Sequence, residues 1–163
     1  MKSQSIENKL DKETKSLVQE MQVGYEIKNP VNNYNDFLDD KMLIIKAIRS
    51  GIPYSLFEAI QEYSPFSETD WASFLDISAK SLQRYKISQD HLFKSIHSEK
   101  IIEMAEVTKL GLSVFGDMNT FKLWLNTPCF AIGSEKPINF LQDSYGKDMI
   151  MAELTRINYG ILG

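Results

Sequence analysis

Cysteine and histidine are scarce in this sequence of 163 residues, which has one cysteine, Cys129, and two histidines, His91 and His97. A single cysteine excludes an intrachain disulfide and cannot build a thiolate metal site. No set of cysteines and carboxylates around the histidines has the spacing of metal ligands. We therefore expect no metal site and no cofactor, an ordinary surface or capping role for the histidines, and a small buried side chain at Cys129.

The usual sequence marks of catalysis are also missing. No glycine-rich loop of the kind that cradles phosphate groups is present, and Gly111, Gly116 and Gly133 are typical of turns or helix ends. Cys129 has no histidine near it in the sequence that would act as its base. The sequence predicts a protein that is not an enzyme.

Long apolar runs are absent too. No stretch approaches the roughly 20 residues of a membrane-spanning helix, and residues 1–15 lack the apolar core of a signal peptide. We expect a cytoplasmic protein without a membrane contact.

Positive charge is limited and unevenly distributed. The net charge is −4, from 18 basic and 22 acidic side chains, which argues mildly against a dedicated nucleic-acid binder. Residues 51–76 contain no lysine or arginine, whereas residues 77–100 contain five. Any contact with phosphate would have to come from that second segment.

What the sequence does contain is apolar residues at helical spacing, with no convincing strand alternation and no internal repeat. Hydrophobic residues make up 43% of the chain, enough for the cores of one or two small domains. We predict an all-α fold, with a helical N-terminal half that includes a helix-turn-helix and a small helical C-terminal domain. The predicted segments are a helical extension over residues 1–50, a helix-turn-helix domain over 51–109 and a C-terminal domain over 110–163.

Three helices of this fold have specific expectations. Residues 1–28 carry one apolar stripe with a gap at Thr14, and this helix either packs on the protein or a partner, or is half-ordered. A helix over residues 36–50 is predicted to stop at Gly51. Ser98 is predicted to cap a helix over residues 99–114 that is apolar on several sides. We expect that last helix to join the two halves of the chain and to help form a homodimer interface.

Residues 67–86 have the pattern of two short helices joined by a tight turn. Ser67 and Asp70 have the spacing of a capping box, Asp76 tolerates a left-handed turn conformation, and Ser78 is a second N-cap residue. This pattern predicts a helix-turn-helix. Its second helix would expose residue types that contact phosphates and base edges, and the predicted DNA-binding residues are Ser78, Lys80, Ser81, Gln83, Arg84 and Lys86.

A solvated helix face would explain the same residues, because one protomer with so few basic groups would bind DNA weakly. A symmetric homodimer would double the contacts and place two recognition helices on successive half-sites. We therefore expect DNA binding only from a homodimer.

The last third of the sequence is dense in residues that form turns and end helices. It contains, in order, Phe-Gly-Asp at 115–117, Trp-Leu at 124–125, Pro128, Ala-Ile-Gly at 131–133, Pro137, Gly146 and Arg-Ile-Asn-Tyr-Gly at 156–160. Asp117 or Asn119 can cap one helix, and Gly146 is predicted to open the final one.

This order of residues resembles the toxin-binding domain of the Xre/MbcA/ParS-type antitoxin family over residues 110–163. The helix pair before it is similar to the Xre-type helix-turn-helix that normally precedes that domain. The chain departs from the family at Ser134, where a second glycine is usual, and at Asp76, where glycine is commoner.

The resemblance implies an antitoxin of a type II toxin–antitoxin system. In the family the partner is a RES-domain toxin, an enzyme that consumes NAD, and the C-terminal segment of the antitoxin plugs the active site of that toxin. Carried over by position, the toxin-binding residues are Arg156, Asn158, Tyr159, Gly160, Ile161, Leu162 and Gly163. The resemblance also implies that the helix-turn-helix binds operator DNA and represses the operon of the antitoxin.

The residue types fit this role on physical grounds. An aromatic ring and a carboxylate at the end of a helix can fill a pocket that accepts a base and a phosphate. Glu153 and the carboxylate of Gly163 would pair with the arginines of such a pocket.

Two other functions fit the same sequence. One is a stand-alone transcriptional regulator whose C-terminal domain dimerises or binds a ligand. The other is a toxin inhibitor whose helix-turn-helix has lost DNA binding, which the acidic stretch before Ile77 favours.

Overall fold

The structure is a computed structural model that describes residues 2–22 and 30–160. Within those ranges every regular element is a helix, so the predicted all-α class is confirmed. The elements are α1 (Lys2–Gln22), α2 (Tyr34–Asp39), α3 (Lys41–Ser50), α4 (Tyr54–Glu62), α5 (Glu68–Phe74), α6 (Ala79–Ser88), α7 (Ser95–Phe115), α8 (Met118–Leu125), the short 3-10 helices η1 (Phe130–Ile132) and η2 (Pro137–Phe140), and α9 (Ser144–Asn158).

The described residues fall into two compact units. Unit 1 lies within Met1–Tyr63 and Ser78–Ile102, and unit 2 lies within Ser64–Ile77 and Glu103–Gly163. Helix α5 therefore belongs to unit 2, α6 belongs to unit 1, and the continuous helix α7 contributes to both. The predicted segments 1–50, 51–109 and 110–163 are each continuous in sequence, whereas each unit combines two separate stretches. The division into those three segments stays a prediction.

Helix α1 packs on the rest of unit 1, where it contacts α2, α3 and α4. Leu10, Leu17 and Val18 are at most 4% exposed, and Thr14 is fully buried beside them. The Thr14 hydroxyl donates to the carbonyl oxygen of Leu10 at 2.7 Å, which removes the cost of burying it. The apparent gap at Thr14 is thus part of the buried stripe, and for Lys2–Gln22 packing on the protein is the alternative that holds. Residues 23–28 of the predicted helix lie outside the described residues.

An ion pair joins the polar side of α1 to α4. The Lys9 ammonium lies 3.4 Å from a carboxylate oxygen of Glu58 and 3.1 Å from one of Glu62. Burial alone would lower the pKa of Lys9, but the hydrogen bond to Glu62 and the charge of Glu58 outweigh that effect and raise it.

The prediction of a single helix over residues 36–50 is wrong. Asp40 separates α2 from α3, and its side chain accepts a hydrogen bond from the backbone N–H of Leu43 at 3.1 Å. An aspartate in this position caps a new helix more readily than it continues an old one. The predicted stop at Gly51 is confirmed, with a φ of 92°.

The prediction that Ser98 caps α7 is also wrong. The helix begins at Ser95, and Ser98 lies fully buried inside it. Its hydroxyl accepts from the N–H of Ile52 at 2.9 Å and donates to the carbonyl oxygen of Phe93 at 3.2 Å. Ser98 therefore joins three segments of unit 1. The predicted burial of α7 on several sides is confirmed by Ile101, Ile102, Met104, Ala105 and Val107, each at most 2% exposed.

Two glycines allow close contacts in unit 2. A Cβ on Gly111 of α7 would lie 2.2 Å from the Phe121 ring of α8, so the absence of a side chain lets that ring sit against α7. A Cβ on Gly146 of α9 would lie only 1.8 Å from the Phe140 carbonyl oxygen of η2. Backbone cannot move aside as a side chain can, so position 146 requires glycine.

We predict that Gly146→Ala destabilises the protein by about 3 kcal/mol or more, because the new methyl group collides with backbone. Thermal unfolding followed by circular dichroism measures the change. Gly116→Ala is the matched control, since Gly116 has a φ of 82° but no atom near its Cβ position. It should lose about 1–2 kcal/mol from backbone strain alone. Equal losses in the two variants would show that the contact with η2 does not require this glycine.

Candidate functional sites

The predicted DNA-binding residues lie on and around α6. Ser78 caps this helix as expected, and its hydroxyl accepts from the N–H of Ser81 at 3.0 Å. Ser81 is half-buried, and its own hydroxyl lies 3.0 Å from that of Ser78. Asp76, just before the helix, has the predicted left-handed conformation, with a φ of 52°. The hydroxyl groups of the two serines thus form hydrogen bonds that stabilise the first turn of α6.

The exposed face of α6 carries the predicted basic residues. Lys80, Gln83 and Arg84 are exposed and lie on the side of the helix opposite the buried Leu82. Ile87 lies on that same side and is 76% exposed. Ile87 was not among the predicted site residues, although its spacing from Lys80 and Arg84 places it on this side. Lys86 is also exposed, but it lies about 120° around the helix axis from Lys80 and therefore on a different side of α6.

Arg84 is adjacent to a small aromatic stack. Its guanidinium carbon lies 5.5 Å from the centre of the Tyr85 ring. Tyr85 stacks in turn on His91, with 3.5 Å between ring centres and planes 6° apart, and His91 meets the buried Phe93 edge-on. Burial lowers the pKa of His91, and the charges of His97 and Arg84 lower it further against the opposing effect of Asp90. The neutral imidazole is therefore favoured beside the basic face.

Helix α9 carries the predicted toxin-binding residues. It begins at Ser144, before the predicted Gly146, because the Asp143 carboxylate accepts from the Gly146 N–H at 2.7 Å and caps the helix. Its last residue is Asn158, and Gly160 follows with a φ of 69°. Glycine adopts this left-handed conformation, which is common where helices end, without the strain of other residues.

Glu153 and Arg156 are held against each other near the end of α9. A carboxylate oxygen of Glu153 lies 3.5 Å from a terminal guanidinium nitrogen of Arg156. Glu153 is only 8% exposed, whereas the Arg156 side chain is 39% exposed. The Arg156 Nε is shielded from solvent and has no hydrogen-bond partner among the described residues. Glu153 thus faces its neighbour in α9, and Arg156 is the more accessible member of the pair.

The end of α9 is open to solvent. Asn158 and Gly160 are exposed, and Tyr159 is 75% exposed. Ile161, Leu162 and Gly163, the other predicted toxin-binding residues, lie outside the described residues. Tyr145 and Met149, at the start of α9, are 91% and 44% exposed on the same side of the helix as Tyr159. Neither of these two residues was among the predicted site residues.

The segment before η2 forms a closed loop. The N–H of Cys129 donates to the Glu135 carbonyl oxygen, and the N–H of Ser134 donates to the Cys129 carbonyl oxygen, both at 2.9 Å. Ser134 has a φ of 63°, so it keeps the left-handed turn for which the family usually supplies glycine. Cys129 is half-buried. Phe130 is 91% exposed and was not among the predicted site residues.

Two further features bear on function. Within residues 2–22 and 30–160, no group of three or more histidine, cysteine, aspartate or glutamate side chains is placed to hold a metal ion. In the same ranges, none of the helices combines the length and the apolar character needed to cross a membrane.

Two family models match this chain, and they cover adjoining segments. Residues 43–106 match the antitoxin Xre-like helix-turn-helix domain, and residues 110–160 match the antitoxin Xre/MbcA/ParS C-terminal toxin-binding domain. Together they span well over half of the sequence. The chain belongs to the Xre/MbcA/ParS-type antitoxin family. Its resemblance to this family, and its assignment as an antitoxin with a toxin-binding domain, are thereby confirmed.

A solved structure shares the fold of this antitoxin. It is a chain in the crystal structure of the M. tuberculosis MbcT–MbcA toxin–antitoxin complex, with 17% sequence identity and a TM-score of 0.52. The match covers 66% of this chain and 94% of that chain. No curated protein matches the sequence. The family is one of antitoxins and is not a known enzyme family.

We predict that acid destabilises this antitoxin partly through His91. Unfolded His91 binds a proton more readily than folded His91, so its contribution is present above the ordinary histidine pKa of about 6.5 and is lost as the pH falls through the lowered folded value. His91→Phe keeps a flat ring against Tyr85 and removes the titrating group. The melting temperature of this variant should therefore fall less between pH 7.5 and pH 5.5 than that of the wild type. An equal fall would contradict the role of His91.

Proposed function

We propose that this antitoxin neutralises a RES-domain, NAD-consuming toxin by placing the segment that begins at Arg156 in the active site of the toxin. The observation that carries the proposal is the end of α9, where an exposed tyrosine and a chain-turning glycine lie within the toxin-binding match. The toxin class comes from the family resemblance. The ion pair of Arg156, the exposure of Tyr159 and the φ of Gly160 support the proposed mechanism.

Arg156 is the first element of this mechanism. The buried Glu153 lies beside its guanidinium, 3.5 Å from one terminal nitrogen, and this ion pair favours one direction of the Arg156 side chain before any partner arrives. An ordered side chain loses less conformational entropy on binding than a free one. The remaining guanidinium donors suit a carboxylate or a carbonyl oxygen at the rim of the toxin pocket. Glu153 then acts as a positioning residue for Arg156, in addition to the direct pairing predicted from the sequence.

Tyr159 and Gly160 are the second element. The Tyr159 ring offers a flat aromatic surface of the size that a nucleotide pocket accepts, and the residue is 75% exposed to solvent. Gly160 has a left-handed φ of 69°, which ends α9. In the proposal, the residues after it enter a cleft without carrying the helix in with them. Asn158 and the segment 161–163 complete the proposed plug.

The plug is tested by comparing two tyrosines on one side of α9. Tyr159→Ala, and separately deletion of residues 160–163, should abolish neutralisation of the toxin encoded beside this gene, measured as growth on co-expression. Tyr145→Ala is the control, because Tyr145 is also exposed but lies about 21 Å away along the helix axis. Circular dichroism should show that all three variants stay helical.

Full neutralisation by the deletion variant would contradict the plug. So would equal losses in Tyr145→Ala and Tyr159→Ala, because recognition would then depend on the whole side of α9 and not on its end.

We also propose that a homodimer of this antitoxin binds operator DNA through α6 and represses its own operon. Lys80, Gln83 and Arg84 lie on one exposed face, and Ile87 adds an apolar group suited to a thymine methyl. The net charge of −4 makes non-specific binding weak, so two copies of α6 are needed for useful affinity. The Tyr85 ring, which lies next to Arg84, stacks on His91. This stacking holds Tyr85 on the side of the helix that faces away from DNA in the proposal.

We predict that Lys80→Ala with Arg84→Ala lowers operator affinity at least tenfold, because two basic groups per protomer are lost. Fluorescence anisotropy at several salt concentrations measures it, and the salt slope should fall by about 0.9 for each phosphate contact removed. Lys41→Ala with Arg49→Ala is the matched control, since it removes the same charge from the exposed side of α3.

Equal losses in the two double variants would mean that only net charge matters. A wild-type chain that binds no operator while still neutralising the toxin would support an inhibitor that has lost DNA binding. A chain that binds operator but no neighbouring toxin would support a stand-alone regulator.

A further inference from the structure

Phe130 is the most conspicuous apolar side chain in unit 2 that the proposed plug does not use. It is 91% exposed, more than any other phenylalanine among the described residues. A phenylalanine in water forgoes the roughly 1.5–3 kcal/mol that burial would give it. Single exposed apolar side chains are common on protein surfaces, so its setting has to decide whether it has a role.

The loop around Phe130 holds it in a fixed position. Backbone hydrogen bonds close the loop from Cys129 to Glu135 and from Ser134 back to Cys129, each 2.9 Å long. The N–H of Gly133 donates to the carbonyl oxygen of Phe130 itself at 3.2 Å. Proline lies on each side, at Pro128 and Pro137, and fixes φ at both ends.

Buried neighbours anchor the same loop to unit 2. Ile132, two residues after Phe130, is 9% exposed, and Pro137 is buried. The backbone thus turns Ile132 inward and leaves Phe130 outward. Ser134 adopts a left-handed φ of 63°, which is strained for a residue other than glycine, and the chain keeps this turn in spite of the strain. The side chain is therefore presented by an ordered loop and has only two rotatable angles to lose on binding.

We propose that Phe130 is an anchor that inserts into an apolar pocket on the toxin, as a second point of contact besides the end of α9. The proposal rests on the proposed toxin inhibition. Phe130 lies within residues 110–160, which match the toxin-binding domain, so the toxin is the partner that we assign to it. Aromatic side chains, phenylalanine included, are enriched in protein interfaces, and a few well-packed residues supply most of the binding free energy.

The two contacts have different roles. The segment after α9 blocks the active site, and Phe130 contributes to the affinity that keeps it there. A change at Phe130 should therefore weaken the complex, and saturating concentrations of the variant should still inhibit the toxin fully.

The test measures the dissociation constant of the full-length chain for the toxin encoded beside it, purified with an inactivating active-site substitution, by isothermal titration calorimetry. Phe130→Ala should raise the dissociation constant at least tenfold, and Phe130→Leu, which keeps an apolar group, should raise it less. Ile96→Ala is the control, because Ile96 is 72% exposed but lies in unit 1, outside the toxin-binding match. Thermal unfolding should be unchanged in all three variants.

An unchanged dissociation constant for Phe130→Ala would overturn this inference and leave the proposed plug standing. A shift in the oligomeric state of the isolated chain, seen by light scattering, would overturn it too, because Phe130 would then belong to an interface between two copies. A wild-type chain that does not bind the toxin would overturn the proposed function and this inference together.

Discussion

The contact between Gly146 and the carbonyl oxygen of Phe140 is the constraint on which the C-terminal domain depends. Only glycine fits at that distance, so the first turn of α9 can lie directly on the backbone of η2. Asp143 caps the helix at the same place and fixes where it starts. Since a helix is a rigid rod with a rise of about 1.5 Å per residue, fixing its first turn also fixes where Arg156 and Tyr159 are presented. The function proposed for one end of α9 would therefore depend on packing at the other end.

In the same domain, one side of α9 packs in the core and stabilises the fold, and the opposite side is exposed to solvent. Ile150 and Leu154 of α9 are fully buried, while Tyr145 and Tyr159 are largely exposed. Glu153 connects the two sides, because its buried carboxylate forms an ion pair with the more exposed Arg156. In the other part of the antitoxin, α6 has a comparable division between the buried Leu82 and the exposed Arg84. Helices α6 and α9 thus each have one side in the core and the opposite side in solvent.

The features that sequence predicted correctly are those decided by neighbours in the chain. The capping box of Ser67 and Asp70, the cap at Ser78 and the left-handed turn at Asp76 all depend on residues within a few positions. Ser98 was misassigned because its hydroxyl bonds to Ile52, which is 46 positions away and which no local pattern reveals. Phe130 was missed for a related reason, because hydrophobic type alone does not show whether a side chain is inside or outside. Ile87 could have been found, because its helical spacing from Lys80 and Arg84 places it on the same exposed side of α6. The roles of the toxin-binding and DNA-binding residues stay predictions.

The measurement that tests the account most directly is whether the antitoxin and a non-hydrolysable NAD analogue can occupy the toxin together. Titrating the analogue into toxin saturated with antitoxin, and the antitoxin into toxin saturated with the analogue, gives the coupling between the two sites. If the segment after Arg156 fills the active site, each ligand should displace the other and no ternary complex should form. A stable ternary complex, with the affinity for the analogue unchanged, would contradict the account.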